Sequence, residues 1–170
     1  MRPRWTRALV LACCSLALSQ PVTAAPSELP ADPAVDAAPC NAAISSLVDD
    51  AVISVCDALI DNDTTERADR LRALLARGAA YQRRDDIDRA IADYDVALRL
   101  DPKLAEIFNT RGELHRGKGD RQRALADFGA ALKIDPRHVA ARANFKSLAL
   151  ELEKIGADMA IKGRPKPPLK

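Results

Sequence analysis

"DRAIADYDVALRLDP" (Asp88–Pro102) returns 34 residues later as "QRALADFGAALKIDP" (Gln122–Pro136). Eight of the fifteen positions are identical, and Ile91/Leu125, Tyr94/Phe128, Arg99/Lys133 and Leu100/Ile134 keep their chemistry. A fixed period of this size marks one structural unit built twice and stacked on itself. Inside each copy the apolar residues fall three and four apart, as on one face of a helix. The same spacing runs from Cys40 to about Gly156 with no convincing alternating strand, so the sequence predicts an all-α domain. The expected helices span 48–60, 64–82, 87–100, 103–116, 121–134 and 137–155.

The boundaries come from capping chemistry. Asp63 with Glu66 three places on reads as a reciprocal N-cap. Asp101-Pro102 and Asp135-Pro136 each place an acid before a proline, which reads as a helix stop and the start of the next helix. Arg84-Asp85 and the stretch Gly117–Asp120 read as tight turns.

A 34-residue helix-pair period resembles the tetratricopeptide repeat, and its signature positions are met twice. From Leu71 they hold Leu74, Gly78, Tyr81, Ala90, Tyr94, Ala97 and Pro102; from Ala105 they hold Phe108, Gly112, His115, Ala124, Phe128, Ala131 and Pro136. The small residues on facing helices predict close approach, and the four aromatics at signature positions predict core. Arg77 and Arg111 stand where the family often has leucine, so their stems are expected to pack while their charged ends reach water. His115 replaces the usual tyrosine.

The resemblance implies an antiparallel helix-pair, right-handed solenoid: a degenerate half-repeat over 40–63, two full units over 64–136, and a capping helix over 137–156. It also implies a concave face lined by the first helix of each pair and suited to a segment of another protein. On that face it places Arg72, Leu75, Ala79, Gln82 and Arg83, then Glu106, Asn109, Glu113 and Arg116. Leu75 and Asn109 are expected to contact a partner while Arg72, Gln82, Glu113 and Arg116 select it. Some family members grip a partner's C-terminal carboxylate with lysine, arginine and asparagine. Here the matching places hold Leu75, Ala79, Glu113, Ala143 and Ser147, with only Asn109 of suitable type, so that clamp is absent.

The chain's ends carry other information. Residues 1–24 combine a basic start, a twelve-residue apolar run and small residues, the pattern of a secretory signal cleaved after Ala24 or Ala25. The expected location is therefore outside the cytoplasm, periplasmic or secreted. Residues 25–39 read as a Pro/Ala-rich linker and 157–170 as a basic, Pro-rich disordered tail. Removing the signal leaves 23 basic against 24 acidic residues, so no charge imbalance favours nucleic acid. No later apolar run is long enough for membrane insertion. Cys40 and Cys56 remain after cleavage, and an even pair in an exported chain predicts a disulfide. One straight helix across both would part the sulfurs by roughly 24 Å, so a bond requires the chain to double back near Ser45 and Ser46; otherwise the two are separate buried thiols.

No reaction chemistry stands out. His115 and His138 lack ligand-spaced neighbours, which predicts no metal: His115 is expected in the core and His138 on the surface of a first helical turn. The stretch from Asp61 has Glu66 and Arg72 where a calcium loop needs glycine and a bidentate acid. Asp85, Asp86, Asp88 and Asp93 read as a solvated face favourable to the helix dipole. With no phosphate loop, nucleophile elbow or cofactor motif, the sequence reads as a protein-binding module. Self-association through the terminal helices is the first alternative, and an unrecognised enzyme the second.

Overall fold

The computed structural model describes residues 36–162, which form seven helices and no strand among the described residues. They are α1 (Ala38–Ser46), α2 (Asp49–Asp61), α3 (Arg67–Arg83), α4 (Ile87–Leu100), α5 (Ala105–Gly117), α6 (Arg121–Ile134) and α7 (Val139–Lys162). Successive helices pack as antiparallel pairs, α1/α2, α3/α4 and α5/α6, with α7 closing the array. The expected signal over residues 1–24, the expected linker up to residue 35 and the tail from residue 163 lie outside the described residues.

The N-terminal unit is a complete pair rather than a half-repeat. Its first helix begins two residues before the expected start of order, inside the presumed linker. Pro39 permits this because amide hydrogens of a first turn have no intrahelical acceptor to lose, and the Asp36 carboxylate accepts the Ala38 N–H at 2.8 Å. The chain doubles back at Leu47, in a left-handed conformation with φ 55°, one residue past the expected turn. That reversal brings Cys40 and Cys56 together as a bonded pair, their Cα atoms 4.8 Å apart. Both are buried against Val52, Leu59, Leu74 and Ala80.

Four helix ends differ from expectation, the starts of α3, α5 and α7 and the end of α7. Asn62, not Asp63, organises the turn before α3, accepting from the amide and hydroxyl of Thr64 at 2.7 Å each. The helix then starts at Arg67. Asp101 and Asp135 stop helices but do not start them. Each donates its amide to the carbonyl four residues back at 2.8 Å, and its carboxylate accepts the amide two residues on at 2.9 Å. The proline sits in the turn, and α5 and α7 begin after it. Finally, α7 runs to Lys162 instead of ending near 155, because no proline appears before Pro165.

Two glycines set the spacing within the pairs. A Cβ on Gly78 would lie 2.8 Å from the Tyr94 ring, and one on Gly112 would lie 2.7 Å from the Phe128 ring. The aromatic of the second helix therefore lies flat on the bare backbone of the first. Leu74, Phe128 and Leu148 are fully enclosed, each contributing about 1.5–3 kcal/mol by leaving water.

Candidate functional site

On the first helices of the pairs, outward side chains are tied between α1 and α3 and between α5 and α7. On α3, Arg72 donates to Asn41 of α1 at 3.2 Å and to Asp69 at 2.9 Å. On α5, Asn109 donates to Glu113 at 3.2 Å and accepts from Asn144 of α7 at 3.0 Å, while Asn144 also donates to Glu113 at 2.7 Å. One turn on, Arg116 reaches Ser147 and Glu151 of α7, each at 3.3 Å. Arg121 donates to the same Glu151 at 2.7 Å, and that bond, more than any other influence, holds the Glu151 carboxyl below its ordinary pKa.

The six expected groove residues thus divide. Arg72 and Glu113 are exposed and Arg116 is partly so. Leu75 is half-buried among Tyr81, Tyr94 and Leu114, and Gln82 is half-buried, accepting the Tyr94 hydroxyl at 3.1 Å. Asn109 is 3% exposed with both ends of its amide engaged. It is a strut that aims Glu113 rather than a contact surface. Asn41, Asn144 and Glu151 share this face with Ser147, and only their distance in sequence from α3 and α5 hid these three.

Between the pairs lie two charged forks. Arg77 holds Asp93 through two parallel bonds of 2.9 and 2.6 Å and reaches Asp57 of α2 at 2.6 Å. Thirty-four residues on, Arg111 holds Asp127 at 2.9 and 2.6 Å and Asp95 of α4 at 2.5 Å. The guanidinium groups are not in water: the side chains are 16% and 18% exposed. Asp93 and Asp127 are buried, so Asp93 leaves the solvated acidic face expected of it. The bonds to Asp93 and Asp127 raise the pKa of Arg77 and Arg111 against the opposing effect of burial. Bidentate pairing of this kind fixes orientation as well as charge. Each fork joins three helices and holds the face in register.

Of the three signature positions at which the two units differ, Tyr81 against His115 changes the packing most. Tyr81 fills its site, with the Arg89 guanidinium 4.5 Å above the ring. His115 is shorter and buried, Arg123 keeps the ion pair to Asp120 (3.4 Å) that Arg89 makes to Asp86 but has no phenol ring to lie over, and a cleft of about 430 Å³ opens between Ile91, Asp95, Arg111, His115 and Arg123. His138, expected on the surface, is only 11% exposed. Its Nδ1 accepts the Ala141 amide at 3.3 Å, and its Nε2 faces the Glu106 carboxylate at 2.9 Å. Among the described residues no group of three or more His, Cys, Asp or Glu side chains could hold a metal ion, and no helix is long and apolar enough to cross a membrane.

The pattern of the tetratricopeptide repeat matches residues 71–104 and 105–138, the two units whose stacking has just been described. Residues 71–138 are two consecutive tetratricopeptide repeats. The chain's fold is similar to that of "First TPR of Spaghetti (RPAP3) bound to HSP90 peptide SRMEEVD", at 18% identity over 72% of this chain and 99% of that one, with a TM-score of 0.58. It is also similar to the "Arabidopsis OM64 TPR domain", at 21% identity over 67% of this chain and 91% of that one, with a TM-score of 0.56. At such identities the likeness is one of fold. Among curated proteins none matches the sequence.

Proposed function

We propose that this chain is exported to the periplasm and there binds another polypeptide along the face formed by α1, α3, α5 and α7. The fold supports an interaction module: stacked helix pairs present an extended surface. The observation that carries the reading is the row of Arg72, Glu113 and Arg116, exposed side chains held in place by Asn41, Asn109, Asn144 and Glu151. Fixed, partly desolvated charges of both signs on one face discriminate among partners.

The similar Spaghetti domain is bound to the HSP90 peptide SRMEEVD, which ends in aspartate. Recognition here differs, because Glu113 stands on the inner face and would repel a terminal carboxylate. The favoured partner segment carries a cation for Glu113 and an acid for Arg72. Selection from a displayed peptide library by the chain lacking residues 1–24 tests this. Enriched peptides should lose binding to Glu113→Lys and Arg72→Glu variants whose helical content is unchanged; peptides that bind both variants as well as the parent would place recognition on another surface.

The export half of the proposal rests on the pattern of residues 1–24 and on the pairing of Cys40 with Cys56. Fractionation with N-terminal sequencing should find a periplasmic chain starting at Ala25 or Pro26. An intact Met1 in the cytoplasm would refute it.

A further inference from the structure

We propose that two copies of this chain pair by exchanging the C-terminal part of α7, each laying it into the slot where the other lacks a next helix. This surface is separate from the first-helix face. The argument comes from carrying the 34-residue register one unit further. The turn between the helices of a pair is made by Asp85 in the first unit, at φ 61°, and by Gly119 in the second, at φ 80°. The next position in the series is Glu153, and there the chain does not turn: α7 continues straight through to Lys162. The segment that should fold back as a second helix instead runs out past the end of the array.

Both halves of an unmade contact follow. Arg121, the first residue of α6, meets Glu151 at 2.7 Å, so everything after Glu151 extends past the end of α6. Ile155 and Met159 continue the stripe of Ala141, Phe145, Leu148 and Leu152 into that extension, where Met159 is 64% exposed. Meanwhile α6 and α7 leave an open, mainly apolar cleft of about 660 Å³ lined by Leu125, Ala126, Gly129, Leu132 and Phe145. It is the one-period translation of the seam that α6 itself closes: Ile91, Asp95 and Arg111 become Leu125, Gly129 and Phe145. With arginine and aspartate replaced, the slot asks for an apolar helix face. The lengths agree. Glu153 to Lys162 spans about 15 Å and Gln122 to Lys133 about 18 Å at 1.5 Å per residue. A second helix runs antiparallel to its own first helix, so a two-fold axis near Glu153 satisfies both copies at once, as in a domain swap.

Light scattering on the chain lacking residues 1–24, at about 10–100 μM, tests this. Twice the chain mass is expected. Ile155→Asp with Met159→Asp should give the single-chain mass, as should Ala126→Lys, which fills the slot from an exposed position. Glu153→Gly with Lys154→Asp restores a turn without removing an apolar side chain and should also dissociate the pair. Circular dichroism checks that each variant stays folded. A parent that is a single chain at 100 μM overturns the proposal, as does a pair that survives any of the three variants.

Discussion

The inner joints of the array and its last joint use the same backbone positions with opposite chemistry. Arg77 and Arg111 fork onto buried aspartates, whereas the next residue in the series, Phe145, lies against Gly129 with 3.6 Å between its ring and the site of a glycine Cβ. A buried ion pair offsets its desolvation only if every remaining hydrogen-bonding group is satisfied. At the inner joints three helices converge to do this; at the last joint the third is missing, and an aromatic on glycine leaves nothing polar unpaired.

The sharpest way to break this comparison is to remove one acid. Asp127→Ala leaves the Arg111 guanidinium enclosed with only the half-exposed Asp95, and should cost about 3 kcal/mol in denaturant unfolding. Replacing Asp95, Arg111 and Asp127 together by Ala, Met and Leu should cost less than that single change, because no charge is stranded. A triple variant less stable than the single would mean that the forks themselves, rather than the avoidance of a lone charge, stabilise the joint. The N-terminal joint has a covalent tie instead. Cys56→Ala should cost about 3 kcal/mol for a loop of this length, and reduction with alkylation should add two labels between Cys40 and Cys56. Two labels without reduction would show free thiols.

Packing within the pairs is the next discriminator. Gly112→Leu must displace the Phe128 ring and should cost about 1–3 kcal/mol, while Gly156→Ala, with open space around it, should gain about 0.5–1 kcal/mol from helix propensity. Equal effects would contradict the register. A smaller effect separates Tyr81 from His115. His115→Tyr should fill the cleft and let Arg123 stack as Arg89 does, gaining about 0.5–1 kcal/mol; a loss would show the cleft is not the vacated phenol site. Finally, burial pushes the Tyr94 hydroxyl up to about 12 from an ordinary 10.0. Its contribution is fully present below pH 10 and is lost as the pH rises through 12, since the unfolded chain ionises first. Stability should therefore fall over that range, and less so in Tyr94→Phe.

The period and the bounds of α4 and α6 were legible because each is local or repeats. The short α1 was not, since a proline in a first helical turn looks like a linker. The Asp-Pro turns misled for a related reason: aspartate before proline can cap a helix or close a turn, and only the following backbone decides. The forks had a signal that went unused, the constant sixteen-residue spacing of Arg77–Asp93 and Arg111–Asp127. Asn109 was misread because its partner, Asn144, sits a full period away. Which side chains of α3 and α5 are free was decided by α7.

The central claim is that the same residue positions join successive pairs at a 34-residue interval, and a double-mutant cycle between Arg111 and Asp127 tests it most directly. With Arg111→Met and Asp127→Ala, unfolding free energies should show a coupling of about 2 kcal/mol or more. A coupling below about 0.5 kcal/mol, the additive limit for independent sites, would mean the two side chains do not meet and would contradict the stacking described.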